Sequence, residues 1–152
     1  MKNPIEIKAL ALERLGEAEI LYQNKKFDGA FYLAGYSAEL MLKAKICIRM
    51  GVPNLFDEDD KVLKSIPGIS EIRKSIKTHN LIVLLILSGL KEKFDADKST
   101  NQHLFKANSL LFSNWNENSR YKPCGFMKST VVHTLILLLK DENGLLQWIE
   151  QN

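Results

Sequence analysis

The sequence contains little cysteine, proline or glycine, and each shortage excludes a class of structure. Its two cysteines, Cys47 and Cys124, have neither metal-ligand spacing nor the density of a secreted disulfide scaffold. Four prolines and eight glycines in 152 residues leave long stretches unbroken, which favours helices. The opening residues MKNPIEIKAL lack the apolar segment of a secretory signal. We therefore expect a reducing, cytoplasmic environment for this chain.

Long apolar runs and the short motifs of common enzyme classes are also missing. The longest apolar runs, 81–87 and 135–139, are far shorter than the roughly 20 residues that span a bilayer, so they are predicted to be buried helix. No cluster of histidine and cysteine indicates a metal site, and no glycine-rich phosphate loop or nucleophile elbow occurs. These absences exclude P-loop and hydrolase-triad chemistry, and we expect no metal and no cofactor.

The composition is that of an ordinary globular protein. Hydrophobic residues make up 45% and charged residues 26%, far from the composition of disordered chains. A chain of 152 residues has the size of one domain and buries enough surface to fold without a disulfide or a metal. We expect a single domain over residues 1–152. The net charge of +3 would help to attract a phosphate backbone, although many metabolic proteins share this balance.

Apolar residues recur at three- and four-residue spacing along most of the chain, and no segment alternates with the period of a strand. The pattern predicts an all-α fold, an antiparallel up-and-down bundle of about five helices. Asp28 is a candidate cap for the second helix, and one or two short helices are expected within 52–78. The predicted helices run from Pro4 to about Tyr22, from Phe27 or Asp28 to just before Gly51, from His79 or Asn80 through Phe94, from Leu104 to about Trp115, and from Phe126 to Lys140. Asn143-Gly144 is expected to interrupt the last of them before the apolar residues Leu145, Leu146, Trp148 and Ile149.

The second predicted helix carries a polar stripe on an otherwise small and apolar surface. Tyr32, Tyr36, Glu39 and Lys43 are spaced by four, three and four residues, so they share one face. One interpretation is structural: Glu39 and Lys43 form an internal ion pair, and the tyrosine hydroxyls hydrogen-bond nearby. The other is functional: this face contacts an anion or a ribose. The small residues around the stripe indicate a central helix that is packed on several sides.

Three segments of the chain form a pattern in this order: YLAGYSAELMLKA at 32–44, KTHNL at 77–81, and Trp115 followed by Arg120-Tyr121. Together they resemble the HEPN family, whose name abbreviates higher eukaryotes and prokaryotes nucleotide-binding. Residues 32–44, YLAGYSAELMLKA, resemble the signature helix of that family. KTHNL at 77–81 is similar to the Thr-His-x-Leu start of its next long helix. Trp115 followed by Arg120-Tyr121 is similar to its late tryptophan and Arg-Tyr pair. Together the three matches span most of the chain.

The resemblance implies an up-and-down helical bundle that usually forms a homodimer. The family includes RNA-cleaving toxins, partners of small nucleotidyltransferases and members without known activity, so membership alone does not settle function. What it implies is a nucleotide or RNA ligand, with a minimal nucleotidyltransferase as partner in a toxin-antitoxin-like pair. The alternatives are a metal-independent ribonuclease and a non-catalytic dimeric interaction module.

RNA-cleaving members of the family use an arginine followed four to six residues later by a histidine, which stabilise the strained phosphate and exchange protons. Arg73 and His79 have this spacing, but they precede a different helix, and Lys74 stands where the family favours a small polar residue. The spacing is therefore either accidental or catalytic. His79 has two further interpretations: it caps the helix that it begins, or it faces a phosphate bound at that helix N-terminus.

A polar loop after the fourth predicted helix carries Arg120 and Tyr121. Arg120 could grip a phosphate while Tyr121 stacks on a base, or Arg120 could pair with Glu39 and pin the loop while Tyr121 fills a gap beneath it. His133 is interpreted as a core or interface histidine, and His103 as part of a solvated helix face. The candidate catalytic residues are Arg73, His79 and Arg120, and the candidate nucleotide- or RNA-binding residues are Tyr36, Glu39, Lys43, His79, Arg120 and Tyr121.

Overall fold

A long antiparallel helix pair forms the framework of the computed structural model, which describes residues 3–152; the first two residues of the predicted domain lie outside this range. The α-helices are α1 (Pro4–Gln23), α2 (Phe27–Met50), α3 (Lys61–Lys64), α4 (Ile69–Ile76), α5 (Leu81–Leu87), α6 (Lys91–Asp97), α7 (Gln102–Ala107), α8 (Ser129–Lys140) and α9 (Leu145–Gln151). The first two agree closely with the predicted bounds. Asn3 caps α1 through its side chain, and Pro4 occupies the first turn, where its missing N–H costs nothing.

Helix α2 runs through the middle of the molecule, as its small residues indicated. It packs against α1 along its length and also against α5, α8 and α9. Most of its residues between Ala30 and Cys47 are buried. Two short helices, α3 and α4, follow it in the connecting region, as predicted, and the side chain of Asp60 caps the first of them. Side chains carried by α2 therefore face neighbours on several sides.

The prediction of one continuous third helix is wrong, because a turn divides this segment into two helices, α5 and α6. The break lies at Gly89, whose φ of +74° is a left-handed conformation that ends a helix. A Cβ at this position would also approach the Arg49 side chain to 3.0 Å. Glycine is therefore needed at the break for its backbone conformation, whereas the exposed Arg49 side chain could shift by the few tenths of an ångström that a Cβ requires.

The fourth predicted helix is present in altered form. Helix α7 continues into a π-helical turn at Asn108–Phe112, and a separate 3-10 turn covers Glu117–Tyr121, where a loop was expected. A capping box starts this 3-10 turn: the side chain of Asn116 accepts from a backbone N–H within the turn, and the Ser119 hydroxyl accepts from the backbone N–H of Asn116. Local side-chain hydrogen bonds thus order the segment after Trp115.

Helix α8 begins three residues later than predicted, because the loop before it is held by α2. The carboxylate of Asp28 accepts hydrogen bonds from the backbone N–H groups of Gly125 at 2.6 Å and Met127 at 2.9 Å. The expectation that Asp28 caps α2 is therefore wrong. Lys26 occupies the cap position without a side-chain hydrogen bond, and Asp28 lies in the first turn.

Buried side chains from α1 through α9 belong to one hydrophobic cluster. Residues 3–152 contain no β-strand, which confirms the all-α prediction, although the helices are shorter and more numerous than the five predicted. Within the same range, no helix combines the length and the hydropathy that crossing a bilayer requires. Because α2 is part of this cluster, its polar stripe lies next to a continuous apolar core.

Candidate functional site

Glu39 lies at the centre of the candidate site. It is fully buried on α2, and its Oε1 lies 2.6 Å from the Nζ of Lys43, one helical turn later. The Nδ1 atom of His79 lies 3.0 Å from both carboxylate oxygens. A buried carboxylate is costly unless it is paired and hydrogen-bonded, and these two neighbours meet both needs. The internal ion pair that the stripe indicated is therefore present.

His79 reaches Glu39 because a neighbouring residue takes over the start of α5. The side chain of Asn80 caps that helix, accepting from the backbone N–H groups of Ile82 and Val83 at 3.0 and 3.2 Å. The interpretation of His79 as the cap is therefore wrong. Its side chain is 47% exposed, and Nε2 has no hydrogen-bond partner in the part of the chain that the structure describes. The imidazole is held through one nitrogen and leaves the other to a ligand.

A cavity of about 360 Å³ opens beside His79, and we call it the basic cavity. Four basic side chains line it, and two carboxylates lie against them: Glu58 in the lining, and Glu39 buried behind Lys43 and His79. The residues around it are Lys43, Leu55, Phe56, Glu58, Arg73, Ile76, Lys77 and His79. Cavities of this size hold small ligands, and the excess of positive charge favours an anion.

Arg73 and Lys77 contribute to the basic cavity in different ways. Nε of Arg73 donates to the backbone carbonyl of Leu55 at 3.1 Å, and its Nη2 donates to that of Asp57, so Arg73 ties α4 to the preceding loop. Nζ of Lys77 lies 2.5 Å from the carboxylate of Glu58, and both side chains are more than half exposed. The hydrogen bond and charge of Lys77 lower the pKa of Glu58. Arg73 therefore shares a cavity with the histidine but is partly engaged by the fold.

An aromatic stack continues the stripe toward the start of α2. The rings of Tyr32 and Tyr36 stack with centroids 6.3 Å apart, and Tyr32 stacks on Trp115 at 6.1 Å. The indole reaches this position because Gly35 has no side chain: a Cβ there would lie 2.2 Å from the ring. Its Nε1 donates to the backbone carbonyl of Tyr32 at 3.0 Å. Burial raises the pKa of Tyr36, and the Glu39 carboxylate raises it further.

Arg120 and Tyr121 lie at the exposed end of this stack and do not line the basic cavity. Nη1 of Arg120 is 3.5 Å from the Tyr32 hydroxyl, and its guanidinium carbon lies 4.9 Å from the Tyr121 ring centroid. The expectation that Arg120 pairs with Glu39 is wrong, because Lys43 and His79 occupy that carboxylate. Tyr121 is 73% exposed and fills no gap. The predicted residues thus form two clusters, one around Glu39 and one at the surface.

A second cavity, of about 560 Å³, also adjoins His79, and we call it the polar cavity. It shares Lys77 and His79 with the basic cavity. Its other lining residues are Thr78, Asn80, Leu81, Ile82, Phe112, Ser113, Trp115, Asn116, Glu117 and Asn118. Sequence reasoning missed this cavity and missed Phe56 and Lys77 as lining residues. The sequence did contain one indication of this cavity. Two of the segments that resemble the HEPN family, 77–81 and the segment that begins at Trp115, supply residues to its lining.

The remaining histidines and the cysteines lie outside both cavities. His133 is exposed and stacks on Tyr22 at 5.4 Å, so it is not a core residue, and the alternative of an interface histidine stays a prediction. His103 is half-buried, 3.9 Å from Asp141. Burial raises the pKa of Cys47 to about 11. Across residues 3–152, no group of three or more histidine, cysteine, aspartate or glutamate side chains is placed to hold a metal ion.

The arrangement around Glu39 can bind an anion and exchange a proton with it. An imidazole oriented by a carboxylate is suited to proton transfer near neutral pH, and the lysines beside it supply positive charge. Comparison with protein-family models, curated proteins and solved structures finds no match to this chain. A functional assignment therefore rests on the site itself and on the sequence resemblance.

Proposed function

We propose that this chain is a HEPN-type domain that binds a nucleotide or an RNA strand with a phosphate group in the basic cavity. The observation that carries the proposal is the placement of Lys43, Lys77 and His79 around one cavity, with a buried carboxylate behind the histidine. Phosphate oxygens need cations and N–H donors that a ligand can reach. His79 and Lys77 are half-exposed and meet that need, whereas the charge of Lys43 is balanced by the buried Glu39 carboxylate beside it.

The apolar part of the basic cavity favours a nucleotide over a bare anion. Leu55, Phe56 and Ile76 contribute apolar surface next to the cations. Ligand sites commonly combine such surface with a few polar groups that fix the orientation of the ligand. A base or ribose would cover this surface, whereas inorganic phosphate would leave it in contact with water.

The sequence resemblance supports the same class of ligand. The segment that resembles the signature helix supplies Tyr36, Glu39 and Lys43, and the KTHNL segment supplies Lys77 and His79. The resemblance also supports a minimal nucleotidyltransferase as a protein partner, since members of the family pair with such enzymes. Copurification of the two co-expressed proteins tests that partner, and separate elution would contradict it.

Replacing Lys77 with alanine is expected to weaken RNA binding and to make it less dependent on salt. A complex with one phosphate contact fewer releases fewer counterions from the RNA when it forms. The slope of log K against log salt should become shallower by about 0.7 for a single strand. Fluorescence anisotropy of a labelled single-stranded RNA, titrated at several salt concentrations, measures both quantities. Lys74→Ala is the matched control, because Lys74 is an exposed lysine on α4 that does not line the basic cavity. Equal effects of the two substitutions would contradict the site.

One observation favours ribonuclease activity as a second candidate function. Glu39 holds Nδ1 of His79 and leaves Nε2 available, which is how a catalytic histidine is oriented. His79 would accept the proton of a 2′-hydroxyl while that oxygen attacks the adjacent phosphorus and the bond from phosphorus to the 5′-oxygen breaks. The products would be a 2′,3′-cyclic phosphate and a 5′-hydroxyl protonated by water, and Arg73 would stabilise the phosphate during the attack. The RNA samples above, run on a denaturing gel with a chelator present, test this activity. Cleavage that His79→Ala abolishes supports it, and intact RNA contradicts it.

A homodimer formed through α1 is the remaining part of the proposal, and it would also suit a non-catalytic interaction module. Ile5, Leu12 and Ile20 are 79%, 57% and 60% exposed, and Ala9 and Gly16 lie on the same side of the helix. Ile5, Ala9, Gly16 and Ile20 are separated by four, seven and four residues, a spacing that is the same from either end. An antiparallel pair of α1 helices would therefore place Ile5 against Ile20 and Ala9 against Gly16 of a second copy, with the two Leu12 side chains on either side of the centre. Among the described residues 3–152, no atom lies within 4 Å of a Cβ placed at Gly16, which leaves room for close approach of a second helix.

Leu12→Glu is expected to convert this dimer into a monomer, because it would bury carboxylates of both copies at the middle of the interface. Sedimentation velocity measures the mass in solution. Val62→Glu is the control, since Val62 is an apolar side chain that is 78% exposed on α3. A monomeric wild-type protein, or a Leu12→Glu protein that still sediments as a dimer, would contradict the interface.

A further inference from the structure

The polar cavity differs from the basic cavity in charge, although both adjoin His79. Lys77 and Glu117 bring one positive and one negative charge to its lining, so apart from the histidine the charges cancel. A phosphate group would gain little electrostatic attraction in the polar cavity, whereas an uncharged polar group can bind there through hydrogen bonds alone. The two cavities are therefore suited to different parts of one ligand.

Three asparagines present hydrogen-bonding groups around the polar cavity. Asn80 uses its side-chain oxygen to cap α5, and the side-chain oxygen of Asn116 accepts from the backbone N–H of Asn118 at 2.9 Å. Within residues 3–152, the Nδ2 groups of Asn80 and Asn116 have no hydrogen-bond partner, and neither has the side chain of Asn118. The fold thus holds two amides in place and leaves their donors to a ligand.

The wall that carries Asn116 and Asn118 is rigid. Trp115 packs directly on Gly35 and donates its indole hydrogen bond to the carbonyl of Tyr32. The capping box formed by Asn116 and Ser119 fixes the next turn. The backbone of this wall and the Asn116 amide are thus already ordered and lose little conformational entropy on binding, which favours selective recognition. The Asn118 side chain, which makes no hydrogen bond within residues 3–152, would be ordered by the ligand.

We infer that the polar cavity is a second nucleoside subsite, which holds the base next to the phosphate at His79 and selects it through hydrogen bonds from Asn116 and Asn118. The inference rests on the proposed function, since it assumes a phosphate in the basic cavity. Carboxamides pair a donor with an acceptor and so match the hydrogen-bonding edges of bases. Because Lys77 and His79 border both cavities, a phosphodiester at that point would direct one nucleoside into each.

Calorimetric titration with two kinds of ligand tests the subsite. One is a nucleoside monophosphate; the other is a set of dinucleoside monophosphates that differ in the second base and carry a 2′-O-methyl group to prevent cleavage. We expect the best dinucleotide to bind about tenfold more tightly than the mononucleotide, as one or two net hydrogen bonds supply. Asn118→Ala should weaken dinucleotide binding about three- to tenfold and reduce the preference among bases, leaving the mononucleotide unaffected.

Asn118 is the residue to change because no hydrogen bond within the described fold depends on its side chain, whereas Asn116 caps a turn. Asn143→Ala, an exposed asparagine between α8 and α9, is the matched control. Equal affinities for the two kinds of ligand, or an Asn118→Ala protein with unchanged dinucleotide affinity, would overturn the subsite and leave the proposed function standing. If neither ligand binds to the wild-type protein, the proposed function fails and the inference with it.

Discussion

Replacing Gly35 with alanine is expected to lower the free energy of unfolding by about 3 kcal/mol, although alanine is the better helix former by about 1 kcal/mol. The new Cβ would lie 2.2 Å from the Trp115 ring, closer than atoms can approach. The indole would have to move, and its hydrogen bond to the carbonyl of Tyr32 would be lost. Urea-induced unfolding followed by circular dichroism measures the change.

Gly16→Ala is the matched control for this prediction, because it makes the same change inside another helix. A Cβ at Gly16 would meet no atom of the described part of the chain within 4 Å, so alanine should raise the free energy of unfolding by about 0.5 to 1 kcal/mol. Both substitutions belong in the Leu12→Glu background, so that association through α1 does not enter the comparison. A Gly35→Ala protein as stable as its parent would show that α2 and the indole are not in close contact.

Replacing Glu39 with glutamine is expected to cost about 3 to 5 kcal/mol of unfolding free energy, because the charge of Lys43 would remain buried without its partner. The Lys43 side chain is only 9% exposed, and its Nζ lies 2.6 Å from the Glu39 carboxylate. The same change removes the carboxylate that holds His79, so RNA binding should weaken as well. Urea unfolding and RNA anisotropy measure the two effects separately.

The double variant Glu39→Leu with Lys43→Met distinguishes the stability effect from the binding effect. It removes both buried charges with little change in volume, which should restore most of the stability lost in Glu39→Gln. His79 still lacks its carboxylate, so we expect a folded protein that binds RNA weakly. Stability as low as that of Glu39→Gln, or RNA binding equal to that of the wild type, would contradict the role assigned to the buried pair.

Helix bounds could be predicted from the sequence where the signals are local. Pro4 opens α1, and α2 ends at Gly51 with a φ of +66°, so both helices have the expected length. Gly89 is a helix-ending signal of the same kind as Gly51, but a glycine inside a helical pattern ends the helix only where packing favours a left-handed residue. The start of α8 depends on Asp28, which lies 97 and 99 residues before its two hydrogen-bond donors. No local pattern carries that information.

The candidate site could be predicted only where its members share a helix. The pairing of Glu39 with Lys43 follows from their four-residue spacing. The contact between His79 and Glu39 joins residues 40 positions apart, and the local sequence instead favoured a helix cap for His79. The surface position of Arg120 also follows from tertiary packing, since the carboxylate it was expected to reach is already occupied. Spacing alone does not decide between such partners.

The loop 115–127 is fastened to α2 at both ends. Trp115 donates to the carbonyl of Tyr32, and Met127 donates to the side chain of Asp28, four residues earlier on the same helix. Positions four apart on a helix are only about 6 Å from each other, so the loop leaves and returns at nearly the same place. Lengthening such a loop costs little, because closure entropy grows slowly with length. The surface that it carries, including Asn118, can therefore diversify during evolution while the helical scaffold stays unchanged.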